Sequence, residues 1–385
     1  MTASARSRSN YLNDTGYPHK SPPHSNPRTA SSTSNSSDRS FNPSTTWITF
    51  LGRTGICQGE NHVAYSIVAT RPGGPEVLQK KETEVPQPGA GEALLRHTAI
   101  GVNFLDAYFR SGLYPWSVES DLVLGSEAAG VVEAVGSSVG NVSPGDRVVY
   151  TAPNGAYASH RVIDAKTLVK IPDGISDEIA AASFLKGLTA YYLLHGSFAV
   201  KEGDTVLFHA AAGGVGLIVG QWLAAKGVRA IGTAGGPEKC ALALDHGYSD
   251  VIDYRKDDFV EKVKELAPDG VEAVYDAVGK TTWRGSLKCL KLHGTFVSFG
   301  QSSGAITDFN ISELAAGSFH ATRPTLFHFV GLPGWLDKAS AALFDQIGSG
   351  SVRININQSF DLADAASAHT ALEGRQTTGC TILTP

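Results

Sequence analysis

The sequence predicts an α/β protein, a doubly wound parallel sheet preceded by a smaller β-rich domain. Three observations predict it. The β-rich run Asp204 to His209 leads into a cluster of glycines and then a helical pattern. Further strand patterns alternate with helical stretches after it. Before it, from Ala64 onward, short apolar runs are punctuated by glycine turns.

Residues 1–62 come first and differ from the rest. They are rich in serine, asparagine and proline and sustain no apolar periodicity, so they are expected to form a disordered N-terminal extension. Arg6 and Arg8 precede the first carboxylate, Asp14, as in a mitochondrial presequence, but the amphipathic face of one is missing. A cytosolic tail, or an upstream extension that is not translated, fits as well. Next, Ala64 to Ala69 and Ala93 to Arg96 alternate as strands. Gly125 to Gly136 reads as a long glycine-punctuated strand, and Ser143 to Val148 as a turn leading into another.

The glycine cluster comes directly after the buried strand that ends at His209. Val215, Ile218, Val219, Trp222 and Leu223 recur at helical spacing, and Gly227 closes the pattern as a C-cap would. A strand, a glycine turn and a helix N-terminus make an anion site, because the first-turn N–H groups are unpaired and the helix dipole is positive there. The pattern Ala211-x-Gly213-x-x-Gly216 is a dinucleotide fingerprint with alanine for its first glycine. Alone it equally fits a glycine-lightened helix packed closely on a sheet. The rest of the region decides between them: strands at Arg229 to Thr233, Asp250 to Tyr254, Val271 to Val278 and Gly294 to Gly300 alternate with helices near Glu238 to His246, Asp257 to Leu266 and Thr282 to Leu290. This is a Rossmann unit.

An NAD-binding unit places Asp or Glu about 20 residues past the glycines, where it accepts from the ribose hydroxyl and repels a 2′-phosphate. Here the second strand runs out through Gly235 and Gly236 with no acid at its tip, and Lys239 comes next as a cation. That combination favours NADPH. In the alternative, Lys239 is a solvated helix residue and Glu238 is the ribose ligand.

Composition bounds the function. The 385 residues exceed one Rossmann unit, so a second domain is expected, and the net charge of −5 without a long basic run argues against nucleic acid as a partner. Cys57, Cys240, Cys289 and Cys380 form no CxxC pair, so zinc ribbons and dithiol motifs are excluded and reduced thiols are expected. No run of 18 apolar residues signals a membrane span.

At the level of motifs the chain resembles the zinc-free quinone oxidoreductases of the medium-chain dehydrogenase/reductase superfamily, the ζ-crystallin-like group. The resemblance runs from about residue 63 to the end through GVNFLDAYFRSGLYP, GSEAAGVV, GDRVVY, ASFLKGLTAYYLL, FHAAAGGVGLI, VSFGQSSGA and TRPTL. It implies a GroES-like β-rich catalytic domain from residues 63–187 and 323–385, with the Rossmann NADPH-binding domain at 188–322 between them. It also implies a homodimer or homotetramer, whose last Rossmann strands pair across the dimer, and a cytoplasmic location, with a mitochondrial one if the extension is a presequence. Zinc-dependent relatives carry cysteine at Asn103 and histidine at Ser126. An amide and a hydroxyl are poor zinc ligands, so no metal is expected.

A quinone is electrophilic without a metal, and placement beside the nicotinamide carries much of the catalysis. Asn103, Asp106, Tyr108 and Tyr114 are the candidates for the substrate pocket, the first three also within reach of the cofactor. The tyrosines are suited to stack on a flat ring and donate to its oxygen. Each tyrosine can equally be an amphipathic core residue, and Asn103 can simply fix a turn. The resemblance further implies cofactor contacts at Tyr192, at Gly214, Val215 and Gly216 for the pyrophosphate, and at Gly235, Lys239 and Tyr254 for the 2′-phosphate. Val278 is implied beside the adenosine, Phe299, Gly300, Gln301 and Ser302 beside the nicotinamide ribose, and Arg323, Pro324, Thr325 and Arg375 from the C-terminal part. The two arginines fit an interdomain surface as well. Two other functions stay open: an NADPH-dependent reductase of enones and alkenals, and a non-enzymatic NADPH-binding protein of the crystallin-like or RNA-binding kind.

Overall fold

The computed structural model describes residues 63–385, so the expectation for residues 1–62 falls outside the described residues. β1 (Ala64–Ala69) pairs antiparallel with β2 (Leu78–Thr83) and with β4 (Leu122–Val123) in a three-stranded sheet. A second sheet is formed by β3 (Glu92–Val102), β5 (Glu127–Val135), β6 (Arg147–Thr151), β7 (His160–Asp164) and β8 (Val169–Lys170). The chain returns at its C-terminus to complete it with β15 (Ile356–Asp361) and β16 (Cys380–Thr384), in the order β15-β16-β3-β5-β6-β8 with β7 on β3. The short helix α1 (Phe104–Arg110) leaves the end of β3.

Then comes α2 (Asp177–Tyr192), capped by the Ser176 hydroxyl, which accepts from the Ile179 N–H at 3.2 Å. All but three of its 16 residues are buried, on every face. One hydrophobic core reaches through it, from Ala99 and Val149 of the antiparallel sheet to Val206 and Phe208 of the parallel one. A helix apolar all round shows no amphipathic period, which is why nothing in the sequence pattern singled it out.

The parallel sheet comes after α2: β9 (Thr205–His209), α3 (Gly214–Ala225), β10 (Arg229–Ala234), α4 (Pro237–Leu244), β11 (Asp250–Asp253), α5 (Phe259–Leu266), β12 (Val271–Asp276), α6 (Trp283–Lys288), β13 (Leu290–Ser298) and β14 (His320–Thr322). Its order, β11-β10-β9-β12-β13-β14, reverses direction between β9 and β12. That switch point opens a crevice at the carboxyl ends of the strands, where ligands of such sheets bind. α7 (Leu326–Val330) and α8 (Trp335–Gly348) come next, and α9 (Ala365–Glu373) separates β15 from β16.

The expected elements are present, with ends moved for local reasons. The strand expected from Gly125 starts at Glu127, because Gly125 has φ +92°, where a Cβ would lie 2.2 Å from the Tyr157 ring. β12 stops at Asp276 instead of Val278, since the Asp276 carboxylate turns back to accept from the Val278 and Gly279 N–H groups at 2.8 and 2.9 Å. β13 starts at Leu290, earlier than expected, and stops at Ser298.

Candidate functional site

The glycine turn at the end of β9 is built by an exchange of side chains between strands. Ala210 takes the left-handed backbone, φ +60°. Ala211 stands where the fingerprint has its first glycine, and its methyl fits because the adjacent strand offers Gly232: a Cβ there would lie 2.7 Å from that methyl. Gly216 lets α3 start against the turn, since a Cβ on it would meet the Ala210 and Ala211 carbonyl oxygens at 2.5 Å. Gly379, just before β16, donates to the Ala212 carbonyl at 3.0 Å and ties the C-terminal strand to this turn.

Above the turn lies a cavity of about 690 Å³ between the antiparallel and parallel sheets. Asn103, Tyr108 and Tyr114 line it from the α1 region, and Lys186, Thr189 and Tyr192 from α2. Gly214, Val215 and Gly216 form its middle. Gly235, Lys239, Tyr254 and Arg375 line one end. Val278, Phe299, Gly300, Ser302, Arg323, Pro324 and Thr325 come from the later strand ends. Two expected residues lie elsewhere. Gln301 borders a neighbouring cavity of about 370 Å³ and reaches the site only through its backbone N–H. Asp106 is fully buried beneath α1 and lines no part of the main cavity.

At the end lined by Lys239, cations converge. Lys239 Nζ donates to the Arg375 and Thr377 carbonyls at 2.8 and 3.0 Å. Burial, with Arg255 and Arg375 nearby, lowers its pKa. Arg255 was not foreseen; its Nε lies 3.2 Å from where a Cβ on Gly235 would stand. Tyr254 Oη would lie 2.5 Å from that same Cβ, so only glycine leaves the pocket open. Glu238, the alternative ribose ligand, is exposed in the first turn of α4 and does not line the cavity. Unpaired first-turn N–H groups and a cationic recess fit a phosphorylated dinucleotide.

At the other end, two tyrosine hydroxyls are held from across the crevice. The Gln301 N–H donates to Tyr108 Oη at 3.0 Å, and Arg323 Nη2 donates to Tyr114 Oη at 3.3 Å. The rings meet edge to face, 5.5 Å apart. Burial pushes the Tyr108 hydroxyl up to about 12, so it stays protonated. Tyr192 stacks on Phe329 at 4.9 Å.

Asp106 anchors α1 from below. Its carboxylate accepts from Ser126 Oγ at 2.7 Å, the Asn103 N–H at 2.9 Å and Tyr157 Oη at 3.1 Å. Tyr157 Oη lies 2.9 Å from His369 Nε2, and Arg110 donates to His369 Nδ1 at 2.8 Å. Arg110 also pairs with Glu373 at 2.7 Å, so the chain of contacts runs from α1 to α9. Burial, then Arg110, pushes His369 down to about 3, leaving it neutral. Asn103 Nδ2 donates at 2.9 Å to Glu127, a buried carboxylate that sequence reasoning passed over. Among the described residues no group of three or more His, Cys, Asp or Glu side chains is placed to hold a metal ion.

Residues 89–173 match the alcohol dehydrogenase GroES-like domain family and residues 214–331 the zinc-binding dehydrogenase family. The residues present do not fit the zinc of the second description. The quinone oxidoreductase of Pseudomonas aeruginosa is 49% identical over 317 residues, 81% of this chain and 97% of that protein. The 2-haloacrylate reductase of a Burkholderia species is 41% identical, over 83% of this chain and 98% of its own length. The crystal structure of Escherichia coli quinone oxidoreductase complexed with NADPH superposes with a TM-score of 0.82 at 46% identity, over 83% of this chain and all of that one.

The Asp106 carboxyl titrates where it can be read. Burial raises it to about 6, against the hydrogen bonds from Ser126, Asn103 and Tyr157 that pull it down. The folded chain therefore holds this proton more tightly than the unfolded chain. The stability it contributes is full below about pH 4 and is lost as pH rises through about 6, a loss on the order of 3 kcal/mol. Asp106→Asn can accept from Asn103 and Tyr157 with its amide oxygen and donate to Ser126, so it keeps the network without the titration. Urea unfolding of both proteins at pH 4.5 and 7.5 should show the parent losing stability relative to the variant; parallel losses would rule the shift out.

Proposed function

The chain belongs to the zinc-free quinone oxidoreductases of the medium-chain dehydrogenase/reductase superfamily, and from that premise we propose that its cavity holds NADPH and a quinone together and reduces the quinone to the hydroquinone. The glycine cradle fits the pyrophosphate, because Gly216, where a Cβ would meet the Ala210 and Ala211 carbonyls, lets α3 begin directly against the turn with its first N–H groups facing the ligand. Lys239 and Tyr254, with Arg375 and the unforeseen Arg255, receive the 2′-phosphate. Gly214 and Val215 complete the cradle, and Val278 lies along the adenosine. Tyr192, Phe299, Gly300, Ser302, Pro324 and Thr325 wall the nicotinamide half. Bound there, NADPH would supply the reducing equivalents, by hydride or by electron transfer.

The observation that carries the reading is the setting of Tyr108 and Tyr114. Each hydroxyl accepts a hydrogen bond from across the crevice, so its own proton is left to donate. Two such donors on aromatic rings suit a flat acceptor whose oxygen becomes negative on reduction. Asn103 borders the same space with its amide N–H turned to Glu127. A second reading, reduction of an activated double bond, is favoured by the 2-haloacrylate reductase relative, and the same donors would serve an enolate.

We assign residues 63–187 and 323–385 to the catalytic domain and 188–322 to the NADPH-binding domain. The return of β15 and β16 to the antiparallel sheet supports this. A homodimer fits the open edge of β14, with Phe309 and Ile311 exposed in the segment before it, and a cytoplasmic location is what the resemblance implies. Among the described residues no helix is long and apolar enough to cross a membrane.

Lys239→Ala should weaken NADPH binding by about 1.5 to 3 kcal/mol through loss of a charge-assisted contact and leave NADH binding nearly unchanged. Equal losses for both nucleotides in fluorescence titrations would remove Lys239 from the 2′-phosphate. Tyr114→Phe and Tyr108→Phe should lower kcat with a quinone and spare NADPH affinity. The loss should fall well short of the roughly 100-fold or more typical of an essential oxyanion donor, because a quinone is already reactive. Parental turnover by the double variant would reduce both tyrosines to packing.

A further inference from the structure

Beneath the cavity lies a buried charge that the roles given to Tyr108 and Tyr114 leave unused. The Lys186 side chain is only 6% exposed, yet it lines the cavity. Its Cδ and Cε lie 2.8 and 3.1 Å from where a Cβ on Gly214 would stand, so the stem runs against the first residue of α3. Its ammonium donates to Glu127 Oε1 at 2.5 Å. Glu127 is itself held on all sides: Asn103 Nδ2 donates to the same oxygen at 2.9 Å and the Leu185 N–H to the other at 2.6 Å. Gly101 makes room for it, since a Cβ there would lie 2.3 Å from that carboxylate and 2.4 Å from the Ala181 carbonyl.

The two partners are unequally satisfied. Both Glu127 oxygens have donors. An ammonium carries three N–H groups, and among the described residues Glu127 is the one acceptor that Lys186 reaches. A buried cation with spare donors on a ligand cavity is incomplete, because burial without hydrogen bonds costs free energy. Burial alone would lower its pKa; Glu127 beside it outweighs that and raises it, so the charge persists.

We propose that Lys186 completes its hydrogen bonds on an anionic oxygen of the bound ligand, with Glu127 acting as the positioning residue that aims it. The inference rests on the proposed function. Two sources offer that chemistry: the dinucleotide pyrophosphate, whose cradle begins at Gly214, and the oxygen of a quinone as it becomes negative.

Lys186→Ala distinguishes them, and added propylammonium can occupy the space left beside Glu127. If the pyrophosphate is the partner, the Kd of NADPH rises about tenfold or more by fluorescence titration. The Kd of 2′-phospho-ADP-ribose, which lacks nicotinamide, rises with it. If the quinone oxygen is the partner, both constants hold and kcat at saturating NADPH falls about tenfold or more. In either case propylammonium restores a several-fold part of the loss and butanol, of similar size but uncharged, does not. Lys186→Gln, which keeps N–H donors without the charge, should fall between parent and Lys186→Ala, and it serves as the test if the alanine variant does not fold. Changes below twofold in all three readouts overturn the proposal, as does rescue by butanol equal to that by propylammonium. A parent that turns over NADPH and quinone while its Lys186 variants are indifferent sinks this inference alone. A parent that binds no NADPH sinks the function with it.

Discussion

One buried carboxylate fastens the molecule at its crossing point. Glu127, on a strand of the antiparallel sheet, takes hydrogen bonds from the entry to α1 through Asn103 and from the middle of α2 through Leu185 and Lys186. Three segments far apart in sequence are thereby set in one register. Breaking such a buried pair by removing one partner typically costs about 3 to 5 kcal/mol, because the other charge is left uncompensated. Since α2 shares its core with both sheets, fixing α2 also fixes the width of the crevice above it.

The crevice then has two chemically different ends because different elements supply them. Strand ends and α4 bring cations and glycines, which suit phosphate. The α1 region brings two tyrosines whose hydroxyls are held from the far wall, Tyr108 by Gln301 in the loop after β13 and Tyr114 by Arg323. The Asp106 network, running through Tyr157, His369 and Arg110 to Glu373, keeps α1 seated on α9, so the C-terminal segment helps hold the tyrosines in place.

Much of this was legible in the sequence, for identifiable reasons. The parallel sheet was readable because its strands are short apolar runs separated by turn signals, and the glycine turn because strand, glycines and helix come in unbroken succession. Ala211 was a true departure from the fingerprint, and the compensating Gly232 lies in the next strand, beyond the reach of a local pattern. Helix α2 escaped pattern reading because it has no polar face. Glu127 looked like one more residue of a glycine-punctuated strand, and its partners are 24 and more positions away. Asp106 was placed in the pocket because it lies in the same motif as the tyrosines. Asp106 and Tyr108 stand two residues apart on α1, about 200° around the helix, so the carboxylate points inward to three donors while the Tyr108 ring faces the crevice.

The central claim is that this cavity joins NADPH to a quinone without a metal ion. The most direct test is NADPH oxidation by the purified protein, dialysed against a chelator, with a series of ortho- and para-quinones and small enones as acceptors. Saturable quinone-dependent oxidation that survives the chelator, and is faster with NADPH than with NADH, is the expected result. Tight NADPH binding with no turnover of any quinone, or activity that disappears with the chelator and returns with zinc, would contradict it.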